Sequence, residues 1–522
     1  MNFANIIFDN PAASADVTAL IDERRSVTFG ELRDRVGRLA AAMRQHGIAQ
    51  GDRIAILLGT RIEYVEIYLA AAVMGAIAMP LNTRLAPQEH VLLMRNGEPK
   101  MLIADAEWLP VAKQMKSEVP SLETLVAIDQ TDQADQADQA GHGEPGNLAY
   151  EEILAQAPQP TQPLDLPADE PAVLLYTSGT TSGPKGAILS HRNLIADIEQ
   201  YQAFVQIPKG SVNLQVSPLY HAANIFTYVH LLAGGTTVFM RKVTADAMFN
   251  AIEKYRVNFM FTVPTVLYTL LDAPDRPQRD LSSLQTLEYG AAPIVGPRLE
   301  SALQILGHKL QHAFGMTETS SHASLLGKAD HLTHPGSIGR PLPGVQMRIV
   351  DDDGQPLGPD EIGELEIKGD NVIKNYWRNP EATAEVLHDG WLASGDLARR
   401  DADGFYYIAG RKKDLIISGG VNIYPSDIEN VLADHPVIAE VAVYGLPDAH
   451  WGEYVTAAIV LREGMTIDPD ELRVFVRQKL GGFKIPKEIR IMETLPRTGT
   501  GKLLKRELRI LEDGDFIEIL KI

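Results

Sequence analysis

The first part of the chain alternates between helical and strand patterns, and this alternation most strongly limits the possible folds. Thr28 and Glu31 form a capping-box pattern that precedes apolar residues at helical spacing. The apolar run 53–58 then predicts a buried strand, and 62–74 predicts a second helix before a strand that ends at Pro80. Alternation of this kind predicts an α/β fold with largely parallel strands.

The chain has 522 residues, which exceeds the size that one compact core usually supports, so we expect at least two domains. The segment 129–146 contains a short Asp-Gln-Ala repeat followed by glycines, and its composition cannot bury a core. We interpret it as a surface loop, with a domain linker as the alternative. The α/β pattern resumes at Pro171 without a change of character.

A sharper boundary follows a turn at 401–404, where the charged segment 410–414 precedes short strand and helix patterns. We therefore predict a large N-terminal domain of layered α/β subdomains over 1–410 and a hinge over 411–413. A small mobile α+β domain would occupy 414–522.

Composition excludes several classes of function. The chain has no cysteine, so disulfides, thiolate metal sites and a cysteine nucleophile are excluded. The net charge of −20 disfavours a broad nucleic-acid surface, which needs clustered Lys and Arg. No apolar run reaches about 18 residues, so no membrane span is expected. The first residues lack the basic start of a secretory signal, and we expect a cytoplasmic protein.

The clearest motif directly follows the strand pattern 172–176 and is rich in hydroxyls and glycines. Such a loop can turn backbone amides toward a phosphate, while a lysine supplies a positive charge. It is not a P-loop of the Walker type, because Gly183 is followed by Pro184 and no Ser or Thr follows the lysine. A Ser/Thr/Gly turn without a ligand is the alternative. The candidate phosphate-binding residues are Thr177, Ser178, Gly179, Thr180, Thr181 and Lys185.

This loop closely resembles the signature of the adenylate-forming superfamily, which includes acyl-CoA synthetases, aryl-CoA ligases, luciferases and peptide-synthetase adenylation domains. Further motifs resemble family segments in the same order, from about Thr28 to Arg509. One departure is Ser182, where the family usually has glycine.

The resemblance assigns roles to segments around the nucleotide. Gly290, Ala291 and Ala292 lie in a segment similar to the one that lines the adenine site. In the segment 314–318, the resemblance implies that Phe314 stacks on adenine with Gly315 beside it. In the same segment, it implies that Thr317 bonds the α-phosphate and that Glu318 helps to hold Mg²⁺.

The acid and the ribose are assigned in the same way. His221 resembles the aromatic residue that borders the acid pocket, although an isolated histidine would more often be a core or surface residue. The small residues at 222–224 and 320–321 would also contact the acid. Asp396 and Arg411 would both hydrogen-bond to the ribose.

The remaining motifs concern the second substrate and the catalytic lysine. Lys413 resembles the family hinge residue, and Lys502 resembles the catalytic lysine, in a loop before a helix predicted over 503–511. The residues expected to contact CoA are Gly419 and Gly420 at its pantetheine arm, and Arg84, Trp451, Phe483 and Lys487 at its nucleotide end.

The resemblance implies an ATP-dependent acid–thiol ligase that converts a carboxylic acid to its acyl-CoA through an acyl-adenylate. Its cofactors and partners would be ATP, Mg²⁺, CoA and a small carboxylic acid. Transfer to a carrier protein, luciferase-like oxidation and non-catalytic ATP sensing are the alternatives. The acid stays open among aryl, alicyclic and fatty acids, and a homodimer is common among relatives.

Overall fold

The computed structural model describes residues 1–128, 148–177, 184–292, 294, 296–448, 450–497 and 503–521. The predicted surface loop at 129–146 therefore lies outside the described residues. The fold is mixed α/β, with a large N-terminal domain and a smaller C-terminal domain, as the sequence predicts.

Strands are numbered along the chain, and the first sheet of the large domain has the order β7-β6-β5-β3-β4-β8-β9. Its strands are parallel except for the hairpin of β8 and β9. The bounds are β3 Arg53–Leu57, β4 Ile77–Pro80, β5 Met101–Asp105, β6 Thr124–Ile128, β7 Leu148–Ala149, β8 Pro171–Thr177 and β9 Lys185–Ser190.

The second sheet has the order β16-β15-β14-β13-β12-β10-β11-β1-β2, with parallel pairing from β1 through β14 and antiparallel strands at both edges. The bounds are β1 Thr18–Ile21, β2 Ser26–Thr28, β10 Val212–Gln215, β11 Thr236–Phe239, β12 Phe259–Thr262, β13 Thr286–Gly290, β14 Leu310–Phe314, β15 Ser324–Leu326 and β16 Arg340–Pro341.

The third sheet of the large domain is antiparallel and precedes the smaller domain. Its strands are β17 Gln346–Val350, β18 Gly363–Lys368, β19 Leu387–His388, β20 Trp391–Arg400 and β21 Tyr406–Arg411.

A mixed sheet forms the centre of the C-terminal domain, where β24 and β25 make a long antiparallel pair. Its strands are β22 Ile416–Ser418, β23 Val421–Ile423, β24 Ile438–Asp448, β25 Gly452–Leu461, β26 Glu488–Ile491 and β27 Glu518–Lys521.

Helices cover the sheets, and α2 begins at the capping box that the sequence predicts, with Thr28 accepting from the Glu31 amide. Every residue of α3 is buried, and one apolar cluster joins residues of β3, α3, α8 and β12, so the first two sheets share a core. The helices are α1 Asn5–Phe8, α2 Phe29–Gln45, α3 Ile62–Met74, α4 Pro87–Gly97, α5 Leu109–Glu118, α6 Tyr150–Ala155, α7 His191–Val205, α8 Ile225–Leu232, α9 Ala245–Tyr255, α10 Pro264–Leu271, α11 Gly296–Leu306, α12 Pro380–Val386, α13 Pro425–Ala433, α14 Pro469–Lys479 and α15 Lys505–Leu508.

The helix predicted over 503–511 is wrong in its extent, because α15 covers only Lys505–Leu508. Leu503 forms a β-bridge with Arg497, and the Leu504 amide donates to the Pro496 carbonyl, so the backbone before Lys505 is not helical. No α-helix in the described part of the chain combines the length and the apolar character that crossing a bilayer requires.

Candidate active site

Two neighbouring strand ends carry the residues that the sequence assigns to adenine. Strands β13 and β14 are parallel, with Gly290 opposite Ala313, so their carboxyl ends lie side by side. Ala291 and Ala292 follow β13 and are exposed, and Phe314 ends β14. Ala291 has a φ of 66°, a left-handed conformation that costs a non-glycine residue energy and often marks functional sites.

Close packing explains the two glycines at this edge. A Cβ atom on Gly290 would lie 2.7 Å from the Ala313 carbonyl oxygen, and one on Gly315 would overlap the Ser321 carbonyl oxygen. Both positions therefore exclude side chains, because Gly290 packs against the backbone of β14 and Gly315 packs against the backbone at Ser321.

The turn that carries Thr317 and Glu318 is a short 3-10 helix. Hydrogen bonds from a distant segment of the chain hold this turn in place. The Ser320 hydroxyl donates to the Asn371 carbonyl at 2.8 Å, and the Asn371 amide group donates to the Thr319 carbonyl at 3.2 Å. The Ile373 amide donates to the Glu318 carbonyl at 2.9 Å. The segment after the third sheet's β18 thus holds the turn at Glu318 in place.

Glu318 is half-buried, and its carboxylate has a specific donor that the sequence analysis missed. The Tyr376 hydroxyl donates to Glu318 Oε1 at 2.6 Å. Burial and the Glu318 carboxylate raise the pKa of Tyr376, so the hydroxyl stays protonated and remains a donor at neutral pH.

Tyr376 also contacts the strand that begins at the phosphate loop. It forms a β-bridge with Ala187 of β9, and the next amide, of Trp377, donates to the Gly186 carbonyl at 2.7 Å. The Lys185 ammonium lies 5.8 Å from the centre of the Tyr376 ring and 3.4 Å from Glu385 Oε2. Tyr376 therefore touches both a predicted phosphate ligand and the predicted metal ligand.

The structure describes the phosphate loop only at its two ends. Thr177 ends β8 directly opposite Lys185 in the hairpin register. Lys185 is thus placed at the base of the loop, while four predicted members lie outside the described residues: Ser178, Gly179, Thr180 and Thr181.

The two residues predicted at the ribose lie together. Asp396 and Arg411 are opposite each other in β20 and β21, and Arg411 Nε lies 2.9 Å from Asp396 Oδ1. Asp396 is buried, and its backbone amide donates to Ser394 Oγ at 3.1 Å.

His221 follows β10 and precedes α8 along the chain, and it is half-buried, with its ring 4.5 Å from that of Tyr220. Burial lowers the pKa of His221 to about 4, and the nearby Arg84 adds to this effect. The imidazole is therefore neutral at pH 7. Arg84 lies beside His221, the residue predicted at the acid pocket.

A separate set of predicted residues meets on the C-terminal domain. Gly419 and Gly420 form the tight turn between β22 and β23, with φ values of 58° and 79°. The Gly419 amide donates to the Trp451 carbonyl at 2.8 Å. Asp448 accepts from the Trp451 amide at 2.9 Å and pairs with Lys487 at 3.1 Å. We call Gly419, Gly420, Trp451 and Lys487 the glycine–tryptophan face.

Lys413 is exposed in the 3-10 helix Lys412–Asp414, directly after β21. Its neighbour Lys412 pairs with Glu364 of the third sheet at 2.9 Å. Lys502 lies outside the described residues, so its predicted role stays a prediction.

The donor set at Glu318 limits what kind of metal site is possible. Within the described ranges, no group of three or more His, Asp or Glu side chains could hold a metal ion. A single carboxylate fits Mg²⁺, which usually keeps several waters and bridges substrate phosphates.

Two family models match the chain. The model of the AMP-binding enzyme family matches residues 7–377, and that of the AMP-binding enzyme C-terminal domain matches residues 427–502. The first model includes the residues at the ends of β13 and β14 that we call the strand-end site: Gly290, Ala291, Ala292, Phe314, Gly315, Thr317 and Glu318. The second includes Trp451 and Lys487 of the glycine–tryptophan face.

Similar proteins match over nearly the whole chain. A feruloyl-CoA synthase from Amycolatopsis is 36% identical, covering 95% of this chain and 96% of its own. An indoleacetate–CoA ligase from Aromatoleum aromaticum is also 36% identical, covering 95% of each chain. The structure of ATP-bound MatB from Rhodopseudomonas palustris superimposes with a TM-score of 0.87 at 30% identity, covering 98% of each chain.

Proposed function

Because the chain belongs to the AMP-binding enzyme family, we propose that it is an ATP-dependent acid–CoA ligase that forms an acyl-adenylate and then an acyl-CoA. The observation that carries this proposal is the contact of Tyr376 with both Lys185 and Glu318 beside the phosphate-loop hairpin. The full-length similarity to two CoA ligases supports the same activity.

In the first step, an oxygen of the substrate carboxylate attacks the α-phosphorus of ATP. The bond to the bridging oxygen of pyrophosphate breaks, which leaves an acyl-adenylate and free pyrophosphate. A carboxylate is a weak nucleophile, so the enzyme contributes mainly by positioning and by stabilising negative charge. Lys185, Thr177 and the loop up to Thr181 would hold the phosphates, Thr317 would bond the α-phosphate, and Lys502 would bridge it to the acid.

The nucleoside would lie across the ends of β13 and β14. Phe314 supplies a half-buried ring for the adenine at the end of β14, beside Gly290, Ala291, Ala292 and Gly315. Asp396, held by Arg411, would accept hydrogen bonds from the ribose hydroxyls, and Arg411 would donate to the same sugar.

Glu318 would hold the Mg²⁺ that accompanies ATP, and the bound ion would neutralise phosphate charge. The chain's own contribution is orientation, because the Tyr376 hydroxyl fixes the Glu318 carboxylate through Oε1.

In the second step, the CoA thiolate attacks the carbonyl carbon of the acyl-adenylate, the bond to the AMP oxygen breaks, and a thioester and AMP result. We assign the glycine–tryptophan face to CoA, with the pantetheine arm passing Gly419 and Gly420, and the nucleotide end at Trp451 and Lys487. We further propose that residues 411–413 are a hinge between a domain over 1–410 and a domain over 414–522. Lys413 would be its pivot, since it is exposed and follows β21.

We propose that the acid carries an aromatic ring. The feruloyl-CoA synthase and the indoleacetate–CoA ligase described above are both named for ring-bearing acids. Ala222 and Ala223 are small and half-buried beside His221, which leaves room for a flat ring, and the neutral imidazole of His221 would border the carboxylate.

The test is product analysis with ATP, Mg²⁺, CoA and a panel of aryl, alicyclic and fatty acids. The proposal expects acyl-CoA and AMP in equal amounts, with aryl acids giving the highest kcat/KM. If a phosphopantetheinylated carrier protein is acylated in preference to free CoA, then the carrier protein, and not CoA, is the acceptor. The absence of any acyl product would refute the proposal.

A further inference from the structure

The end of helix α4 contacts both strands of the phosphate-loop hairpin. Tyr176 of β8 is opposite Gly186 of β9 in the antiparallel register, one step outside the pair of Thr177 and Lys185. Asn96, the last residue but one of α4, bonds directly to the first strand and through one tryptophan to the second. A single residue that is distant in sequence therefore reaches both sides of the hairpin.

The side chain of Asn96 makes the first of these contacts. The Tyr176 hydroxyl donates to Asn96 Oδ1 at 2.6 Å. Burial raises the pKa of Tyr176, so the hydroxyl stays protonated and remains a donor at neutral pH. The helix end packs closely here, because a Cβ atom on Gly97 would lie 3.2 Å from the Tyr176 hydroxyl and 2.7 Å from Met79 Sδ. Strand β8 is thus held at the residue before Thr177.

The backbone carbonyl of Asn96 makes the second contact. Trp377 Nε1 donates to this carbonyl at 3.1 Å, and the Trp377 backbone amide donates to the Gly186 carbonyl at 2.7 Å. Carbonyls in the last turn of a helix have no helical donor, so the indole satisfies a group that needs an outside partner. The two donors of one tryptophan therefore join α4 to β9. We call Asn96, Tyr176 and Trp377 the helix brace.

Arg53, the first residue of β3, fixes the helix brace from the central strand of the first sheet. Its Nε donates to the Gly97 carbonyl at 2.7 Å, and its Nη2 donates to the Glu98 carbonyl at 2.8 Å. Its guanidinium lies 5.3 Å from the centre of the Trp377 ring, and that of Arg378 lies 5.1 Å from it. A cation is favourable at a helix C-terminus and over an indole, so Arg53 stabilises both parts of the brace.

The pair held by the brace adjoins two residues predicted to bind phosphate. Thr177 and Lys185 are directly opposite each other, one step further along the hairpin. Ordering a free backbone segment during binding costs conformational free energy, so a segment that is fixed beforehand binds its ligand more tightly. A contact that fixes both strands can therefore strengthen phosphate binding without touching the phosphate.

We propose that Asn96 is a positioning residue for ATP, which acts through Tyr176 and Trp377 on the backbone of the phosphate-loop hairpin. This inference rests on the proposed function, since it concerns the phosphates that the same hairpin would bind. The acid and CoA are assigned to other residues, so the effect of Asn96 falls on ATP and pyrophosphate.

The first experiment measures the KM values for ATP, acid and CoA in Tyr176→Phe, which removes only the hydroxyl. We expect the KM for ATP to rise about 3- to 10-fold, the scale of one lost hydrogen bond. The KM values for the acid and for CoA, and kcat at saturating ATP, should stay within about twofold. A general loss of structure would not select one of three substrates.

Variants of Asn96 test the other partner of the same bond. Asn96→Leu keeps the approximate size and the backbone carbonyl but removes Oδ1, so it should raise the KM for ATP as Tyr176→Phe does. Asn96→Asp keeps an oxygen that can accept from the Tyr176 hydroxyl, so its KM for ATP should stay within about twofold of the wild type.

The double variant Tyr176→Phe/Asn96→Leu shows whether the two residues act through one bond. Both single changes remove the same hydrogen bond, so the double variant should raise the KM for ATP no more than the larger single change does. Multiplication of the two effects would mean that the residues act independently, and this result would contradict the brace.

Tyr406→Phe is the matched control for the loss of a tyrosine hydroxyl. Tyr406 is buried in the third sheet, and its hydroxyl donates to the Met347 carbonyl at 2.7 Å. This variant should leave the KM for ATP unchanged, even if it lowers the melting temperature.

Calorimetric titration with ATP and Mg²⁺ measures the same effect without an acid, and the Kd for ATP should rise about 3- to 10-fold in Tyr176→Phe and in Asn96→Leu. An unchanged Kd in both variants would overturn the role of Asn96, and so would equal increases in the KM values for all three substrates. If the wild type binds ATP but releases no pyrophosphate with any acid, the proposed function fails, while the Kd values still decide the role of Asn96.

Discussion

The strand-end site and the glycine–tryptophan face differ in how they are held. Glu318 is half-buried and fixed by Tyr376 and the Ile373 amide, both from a segment more than fifty residues away in sequence. Gly419 and Gly420 are exposed, and Trp451 is 48% exposed. A preorganised site stabilises developing charge without moving its groups. An exposed face forms a closed site only after another surface of the protein packs against it.

This contrast suggests a division of labour between two half-reactions. Adenylation would depend on the fixed site of the large domain together with Lys502, and thioester formation on the glycine–tryptophan face, which must be brought to that site. Substitutions in one region should therefore affect one half-reaction and spare the other.

The largest expected effect is that of Lys502→Ala. We expect adenylation to fall by on the order of 10²–10³, the scale of losing one preorganised charge donor. Thioester formation from preformed acyl-adenylate should change far less. Rapid-quench measurement of each half-reaction provides the check, and equal losses in both would remove Lys502 from the adenylation step.

Lys413→Pro should have the next largest effect, and this effect should fall on thioester formation. Proline fixes φ and removes a backbone donor, so a residue that must change conformation loses that freedom. We expect thioester formation to slow by about 10- to 100-fold, with adenylation within about twofold. Unimpaired thioester formation would refute the hinge.

Tyr376→Phe should weaken the fixed site by a smaller amount. Loss of the donor to Glu318 Oε1 frees the carboxylate, and we expect the Mg²⁺ concentration for half-maximal adenylation to rise about 3- to 10-fold. Tyr407→Phe is the matched control, since the Tyr407 hydroxyl donates to the Asp401 carboxylate at 3.2 Å outside the candidate site. An unchanged Mg²⁺ requirement in Tyr376→Phe would show that Tyr376 does not position Glu318.

Gly419→Ala should have the smallest effect and should act on CoA alone. The new methyl group would lie 2.7 Å from the Trp451 ring and would displace it, so we expect the KM for CoA to rise about threefold to fivefold. Gly464→Ala carries the same left-handed strain, with φ at 72° and no atom within 4 Å of the added Cβ. If both variants raise the KM for CoA equally, strain and not the Trp451 contact is responsible.

Local motifs explain what the sequence predicts well. The capping box of Thr28 and Glu31 and the strand before the phosphate loop depend on short segments whose residue types suit one geometry. The helix Ile62–Met74 matches its predicted bounds for the same reason, because its apolar pattern and the following glycine define both ends.

Contacts between distant segments explain what the sequence does not reveal. Tyr376 and Glu318 are 58 residues apart, and no local pattern indicates that one donates to the other. Glu288 lies inside a strand pattern and His322 beside a turn, so only the fold shows that Glu288 Oε1 lies 4.0 Å from His322 Nε2. The extent of α15 likewise depends on the bridge between Leu503 and Arg497.

The most direct test of the account is acid-dependent exchange of labelled pyrophosphate into ATP without CoA, followed by addition of CoA. The account predicts exchange that requires both the acid and Mg²⁺, and then conversion of the bound acyl-adenylate to acyl-CoA and AMP. Release of ADP and phosphate, or the absence of exchange with every acid tested, would contradict it.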